Sequence, residues 1–198
     1  MECPVTAPSP ANQPSLTSVD WSSIPAPVDD GAAAHLTGAR LPDLALPSTA
    51  GGTVRLADLA GWSVLYFYPM TGRPDQPLPE GWDMIPGARG CTPQSCAFRD
   101  HAVELAEAGV SALYGISTQD TAWQREAAER LHLPFPLLSD ADLQVTRALN
   151  LPVMEVGGHR LIRRLTLITR DAVVQQVFYP VFPPDRNAGD VLDWLHRR

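Results

Sequence analysis

The chain has 198 residues and a formal net charge of −7, which argues against nucleic acid as its main partner. Its length allows a sizeable core, and no segment is long and apolar enough to predict a membrane span. Three cysteines are too few for a secreted disulfide framework, and the first residues lack the pattern of a secretory signal, so we expect a cytoplasmic protein.

The first 37 residues differ in composition from the rest of the chain. They are rich in Pro, Ala, Ser and Asp and lack periodicity, which predicts a disordered or loosely docked tail over 1–37 before a domain over 38–198. Trp21 and Ile24 could anchor part of this tail, although an inert tail is the favoured interpretation. Cys3 also lies in the tail, and we interpret it as incidental.

After the tail, short apolar runs alternate with amphipathic segments. The apolar runs predict buried strands at Val64–Tyr68, Ala112–Ile116, Leu161–Ile168 and Val173–Phe178. The amphipathic segments predict helices at Pro93–Ala108, Ala122–Leu131, Leu143–Leu149 and Ala188–Arg197. This alternating order predicts an α/β sheet with helices on both faces.

The stretch Gly90-Cys91-Thr92-Pro93-Gln94-Ser95-Cys96 is the most informative part of the chain. Thr92 is a good N-cap and Pro93 suits the first helical position, so Cys91 falls where a helix begins. The helix dipole and the unpaired N–H groups there favour thiolate over thiol, which makes Cys91 a candidate nucleophile. The alternative is a pair of structural cysteines or half of a metal site.

The spacing of the two cysteines has a mechanical consequence. Helical positions five apart are separated by roughly 8–9 Å between Cα atoms. A disulfide needs Cα atoms closer than about 7 Å. Cys91 and Cys96 therefore cannot bond while both lie in an intact helix, and a disulfide between them would require the first turn to unwind.

The pattern Gly-Cys-Thr-x-x-x-Cys-x-Phe-Arg-Asp, after a strand that ends Tyr66-Phe67-Tyr68-Pro69, resembles the peroxiredoxins. The subgroup it resembles is the one called PrxQ or bacterioferritin-comigratory protein. The resemblance runs from about Gly38 to Arg198 and includes Tyr114-Gly115-Ile116-Ser117, Pro134-Phe135-Pro136-Leu137-Leu138-Ser139-Asp140 and Arg164-Leu165-Thr166-Leu167-Ile168. It implies a thioredoxin-like α/β fold, with a central mixed β-sheet flanked by helices on both faces.

The resemblance also implies roles for single residues. Cys91 would be the peroxidatic cysteine, which attacks a peroxide and becomes sulfenic acid. Cys96 would be the resolving cysteine and give an intramolecular Cys91–Cys96 disulfide. Arg164 would stabilise the thiolate and polarise the peroxide, and Pro69 would shield the pocket from water.

The sequence departs from the family's usual run Pro-x-x-x-Thr-x-x-Cys. Ala88 stands where the threonine is expected and Met84 where the proline is expected. We interpret the stretch at about 70–90 as a loop inserted between the strand and the catalytic helix. Thr71 is the first candidate for the pocket hydroxyl, because it lies two residues after Pro69, and Thr92 is the second.

The sequence therefore predicts a thiol-dependent peroxidase that reduces hydrogen peroxide or alkyl hydroperoxides. Its reductant would be a thioredoxin-like dithiol protein, no metal or organic cofactor is required, and the protein would be a monomer or a homodimer without nucleic acid or membrane as partner. Two alternatives stay open, namely a thiol–disulfide oxidoreductase and a redox-sensing or protein-binding module on the same fold. The four-residue gap between the cysteines counts against the first.

Overall fold

A mixed sheet forms the centre of the structure, a computed structural model that describes residues 19–198. The strands are β1 Ala45–Pro47, β2 Thr53–Arg55, β3 Trp62–Phe67, β4 Val110–Ser117, β5 Leu137–Ser139, β6 Val153–Val156, β7 His159–Ile162, β8 Leu165–Arg170 and β9 Val173–Phe178. The helices are α1 Cys91–Asp100, α2 Ala102–Glu107, α3 Thr121–Arg130, α4 Gln144–Ala148 and α5 Asn187–Arg197. The central sheet has the order β5-β4-β3-β8-β9, while β1–β2 and β6–β7 pair separately.

Strand β3 lies at the middle of this sheet and is covered on both faces. Its apolar run is typical of a strand that is buried on both sides. Val64 and Tyr66 pack into one hydrophobic cluster, and Leu65 and Phe67 pack into the other. Since β3 pairs parallel with β4 and antiparallel with β8, the sheet is mixed.

Helices cover both faces of the sheet, as predicted. The cluster on the Tyr66 face takes buried side chains from α1, α2, α3 and α5, namely Phe98, Leu105, Ala127, Val191 and Leu195. The cluster on the Leu65 face takes Val145 of α4 and Leu36 from the segment before β1. Helix α1, which carries Cys91 and Cys96, is therefore packed on the Tyr66 face.

The prediction of one strand over Leu161–Ile168 is wrong. Two strands, β7 and β8, occupy this region, and Arg163 and Arg164 lie between them. Strand β7 pairs with β6, whereas β8 joins the central sheet, so the chain changes partners at the two arginines. The buried Arg164 side chain lies at this interruption.

The prediction of one helix over Pro93–Ala108 is also wrong in its bounds. The helix begins two residues earlier, at Cys91, and is broken at His101, which ends α1 and starts α2. The backbone of His101, with φ −98 and ψ 7, leaves the helical region. The other predicted helices correspond to α3, α4 and α5, and no end differs from its predicted position by more than one residue.

The segment predicted as an inserted loop lies between β3 and α1. Within it, Trp82 is buried against Val156 and Leu161 of the β6–β7 hairpin. The first part of the predicted tail, with Cys3, lies outside the described residues. In the part the structure describes, Ala33 and Leu36 are buried in the core, and the boundary at residue 38 stays a prediction.

No helix among residues 19–198 has the length and apolar character needed to cross a membrane.

Close packing at Gly115 gives a test of the fold. A Cβ at this position in β4 would lie 2.5 Å from the Tyr66 ring and 2.6 Å from Leu137 Cδ2. We expect Gly115→Ala to lower the free energy of unfolding by about 1–3 kcal/mol, because the central strands cannot separate to admit a methyl group.

Urea unfolding followed by circular dichroism measures this loss. Gly189→Ala in α5 is the matched control, because a Cβ there meets no atom within 4 Å. Equal stability of the Gly115→Ala variant and the native chain would contradict this packing.

Candidate active site

Cys91 is the first residue of α1, and Gly90 precedes it as the N-cap. Gly90 has φ 107, a conformation that glycine adopts without strain, and its carbonyl accepts the first helical hydrogen bond from Gln94. The prediction of Thr92 as the N-cap is therefore wrong, because the helix begins one residue before it. The expected position of the thiol at a helix N-terminus is nevertheless found.

The Cys91 thiol is buried and lies beside the Arg164 guanidinium. Its side chain is 3% exposed, and Arg164 Nη2 lies 3.2 Å from Cys91 Sγ. The thiol also lies 3.6 Å from the Ala88 carbonyl oxygen, to which it can donate. Cys91 and Arg164, which the sequence predicts as the reacting thiol and the cation beside it, are thus in direct contact.

Neutral oxygen atoms hold the guanidinium in place. Arg164 Nη2 donates to the carbonyls of Gly87, Ala88 and Arg89 at 3.1–3.4 Å, and Nη1 donates to Gln94 Oε1. These carbonyls belong to the turn that leads into α1, so the arginine fixes the position of that turn as well as the thiol.

A second layer of buried hydrogen bonds orients Gln94. Its amide nitrogen donates to Asn187 Oδ1 at 2.9 Å, and Thr166 Oγ1 donates to the same oxygen at 2.6 Å. The sequence alone did not predict this network. A glutamine in the first turn of a helix that packs on the sheet is a signal that could have found it, because buried polar groups need partners.

The Arg164 guanidinium is a buried cation with no carboxylate among its described hydrogen-bond partners. The side chain is 2% exposed, and its described hydrogen-bond partners are carbonyl and amide oxygens apart from Cys91 Sγ. Buried charges in proteins are normally paired. Among these partners only the sulfur can become an anion, and a thiolate would complete the ion pair.

Cys96 lies on the same helix and is 8% exposed. Both cysteines are free thiols, as the helix geometry requires. Burial raises the pKa of the Cys96 thiol, while the neighbouring Arg99 guanidinium opposes that effect. Cys96 is therefore mostly protonated at neutral pH when α1 is folded.

The aromatic stack under α1 holds the second half of this helix to the sheet. The rings of Tyr66 and Phe98 are stacked with centroids 4.5 Å apart, and Tyr66 donates to Ser95 Oγ at 3.1 Å. Burial raises the pKa of Tyr66 well above its usual range, so its hydroxyl stays protonated. These contacts leave the first turn of α1 outside the stacked region.

The remaining candidates lie in the loop that follows β3. Pro69 is buried, and the Thr71 hydroxyl donates to Gln119 Oε1 at 3.1 Å. None of the hydrogen bonds of Thr71 within the described part of the chain reaches Cys91 or Arg164. Thr92 is half-buried in the first turn of α1, next to the thiol in sequence.

No group of three or more His, Cys, Asp or Glu side chains in residues 19–198 is arranged to hold a metal ion.

Comparison with known proteins identifies related chains. The redoxin family model matches residues 36–192. Peroxiredoxin Bcp of Escherichia coli (strain K12) is 35% identical over 164 residues, covering 78% of this chain and 91% of that protein. The crystal structure of peroxidoxin BcpB from Mycobacterium tuberculosis superimposes with a TM-score of 0.65 at 31% identity, covering 81% of this chain and 96% of that one.

A plant relative is longer than this chain. The putative chloroplastic peroxiredoxin Q of Oryza sativa subsp. indica is 31% identical over 159 residues, which is 80% of this chain. The chain spans about 65% of the length of that relative. The similarity to the peroxidoxin structure confirms the expected thioredoxin-like fold.

The environment of Cys96 predicts how its reactivity depends on pH. We expect the alkylation rate of Cys96 by iodoacetamide, measured in a Cys91→Ser variant, to rise with a midpoint above that of an ordinary thiol, because burial disfavours the thiolate. Mass spectrometry of the Cys96 peptide gives the rate at each pH.

The same variant in urea provides the reference, since its Cys96 is then solvated. A midpoint in the folded protein equal to or below the midpoint in urea would show that Arg99 outweighs burial.

Proposed function

The chain belongs to the redoxin family, as a peroxiredoxin of the Q and Bcp type, and we propose from this that it is a thiol-dependent peroxidase acting on hydrogen peroxide or alkyl hydroperoxides. The observation that carries the proposal is the contact of 3.2 Å between Arg164 Nη2 and Cys91 Sγ at the start of α1. A thiolate and a fixed donor beside it are what peroxide reduction needs.

In the first step, the Cys91 thiolate attacks the terminal oxygen of the hydroperoxide. An S–O bond forms and the O–O bond breaks, so sulfur is oxidised to sulfenic acid while the peroxide is reduced by two electrons. The leaving alkoxide or hydroxide takes up a proton and departs as alcohol or water. Arg164 supports this step because its guanidinium can donate to the oxygen on which negative charge develops.

In the second step, Cys96 resolves the sulfenic acid. The Cys96 sulfur attacks Cys91 Sγ, an S–S bond forms, and the hydroxyl of the sulfenic acid leaves as water with a proton from the Cys96 thiol. The first turn of α1 has to unwind before this, because the two Cα atoms are roughly 8–9 Å apart in a helix. Gly90 lowers the cost of that opening through its backbone freedom.

A dithiol protein of the thioredoxin type would then reduce the disulfide by thiol–disulfide exchange and complete the cycle. This cycle suits a cytoplasmic protein, monomeric or homodimeric, in a compartment that keeps thiols reduced. For the pocket hydroxyl, Thr92 gains support over Thr71, because Thr71 already donates to Gln119. Pro69 is buried, which agrees with its proposed role in excluding water.

Substitution of each cysteine separates the two steps. We expect Cys91→Ser to abolish peroxide consumption, because no thiolate then faces Arg164. We expect Cys96→Ser to consume one equivalent of peroxide and then to stop with a thioredoxin-type reductant, because the sulfenic acid has no partner in α1 and forms no disulfide for that protein to reduce. A peroxide electrode with thioredoxin and thioredoxin reductase measures both outcomes, whereas a small dithiol is avoided because it can reduce the sulfenic acid directly.

Stoichiometric consumption by the native chain would indicate a sensor rather than an enzyme. Normal turnover of the Cys96→Ser variant would show that Cys96 is not the resolving residue.

Removal of the cation tests the role of Arg164. We expect Arg164→Met to slow the oxidation of Cys91 by hydrogen peroxide about a hundredfold or more, since a donor aimed at developing charge contributes at least that much. Arg164→Lys keeps the charge but not the planar fork, so an intermediate rate is expected. Stopped-flow tryptophan fluorescence measures the rate.

Arg170→Met is the control, because Arg170 is an exposed arginine at the far end of β8. Equal effects of the Arg164→Met and Arg170→Met variants would remove Arg164 from the proposed mechanism.

A further inference from the structure

A pocket of about 410 Å³ lies beside Arg164. Its volume falls within the range of small-molecule sites, roughly 300–1,000 Å³. Most of its wall is apolar, with Arg164 as a polar contribution, and the apolar residues include Pro27, Val28, Ile85, Met154 and Pro180. A mostly apolar concavity with a few polar groups is the usual form of a site for a small organic molecule.

The pocket is connected to the reacting thiol through Arg164. Gly87 and Arg164 both line the pocket, and Arg164 Nη2 donates to the Gly87 carbonyl at 3.4 Å and to Cys91 Sγ at 3.2 Å. One nitrogen atom thus contacts both a carbonyl of the pocket wall and the sulfur, although Cys91 itself does not line the pocket. A molecule in the pocket could place a polar end against the guanidinium.

One wall of the pocket comes from a segment that precedes the family match. Residues 26–30, which we call the arm, contribute Ala26, Pro27, Val28 and Asp30 to the lining. The redoxin family model begins its match at residue 36. The arm therefore lies outside the matched region and is placed against the site that this region builds.

Specific contacts hold the arm in this position. Asp30 accepts hydrogen bonds from Arg163 Nη1 at 2.8 Å and from the Tyr179 hydroxyl at 2.9 Å. Just before the arm, Trp21 Nε1 donates to Asp185 Oδ2 at 2.7 Å, and its ring packs edge-on to Phe182 with centroids 5.9 Å apart. The arm is thus anchored on both sides of its apolar residues.

We propose that the arm is a specificity element, in which Pro27 and Val28 form one side of a pocket for the apolar body of an organic hydroperoxide. The inference rests on the proposed peroxidase function and adds the source of substrate preference. Val28 is 82% exposed at the rim of the pocket. A ligand that covers this apolar side chain removes it from water, which makes binding more favourable. Hydrogen peroxide has no apolar body and does not use this wall.

The test compares two peroxides in full-length variants. The ratio of kcat/KM for cumene hydroperoxide to kcat/KM for hydrogen peroxide reports the contribution of the wall, because steps common to both substrates cancel. We expect Val28→Asp to lower this ratio at least about threefold, since apolar contacts in a specificity pocket change such ratios by factors of this size or more. Val28→Ile keeps the apolar surface and should keep the ratio.

Val103→Asp is the matched control. Val103 is an exposed valine as well, 71% exposed on α2, and does not line this pocket. We expect it to leave the ratio unchanged, and thermal unfolding should show that the two aspartate variants are folded. An unchanged ratio in Val28→Asp, or the same fall in Val103→Asp, would overturn the proposal.

A binding measurement separates the pocket from the chemistry. The alcohol formed from cumene hydroperoxide, 2-phenyl-2-propanol, needs no reaction to bind, and ligand-observed NMR can compare its affinity for the native chain and both aspartate variants. We expect weaker binding to Val28→Asp alone.

If the alcohol binds more weakly to Val28→Asp alone but the native chain has no peroxidase activity, the proposed function is contradicted and the proposed pocket is still supported. Equal binding to the native chain and the Val28→Asp variant would contradict the pocket, whatever the activity.

Discussion

The buried guanidinium of Arg164 is the feature on which the rest of the site depends. It is almost fully removed from water, and among its described hydrogen-bond partners only Cys91 Sγ can become an anion. A buried cation is costly unless it is paired, and a charged sulfur would complete such a pair. The same guanidinium donates to carbonyls of the turn before α1. It also donates to Gln94, which is itself oriented by a hydrogen bond to Asn187. The proposed activation of the thiol and the local fold therefore depend on the same residue.

In the proposed cycle, helix α1 is subject to two requirements that oppose each other. The folded helix places Cys91 at its N-terminus against Arg164, whereas a Cys91–Cys96 disulfide needs the first turn opened. The aromatic stack of Tyr66 with Phe98 holds the second half of the helix. The first turn is held by the hydrogen bonds of Arg164 and Gln94, which have to break when this turn opens. A Cβ at Gly90 would lie 2.6 Å from Pro184, so only glycine fits where the turn meets the rest of the protein.

Strands such as β3 could be predicted because each is a short continuous apolar run, and the helices could be predicted because their apolar residues recur with helical spacing. The break between β7 and β8 at Arg164 could not be predicted. Nothing in the local sequence shows that this arginine is buried or which group it contacts. The break at His101 was missed for a similar reason, because the helical pattern continues through it. The β6–β7 hairpin did have a signal in the pair Gly157-Gly158, because two glycines are typical of a two-residue hairpin turn. Both residues have positive φ in the structure. Cys91 could be chosen from sequence, but Gln94 and Asn187 depend on tertiary contacts.

Mass spectrometry before and after one equivalent of hydrogen peroxide, followed by peptide mapping without reduction, tests the central claim most directly. That claim is that the thiol beside Arg164 is oxidised first and then pairs with Cys96 on the same helix. The account predicts a rapid loss of two hydrogens and a peptide pair linked through Cys91 and Cys96. No change in mass, or a link that involves Cys3, would contradict it.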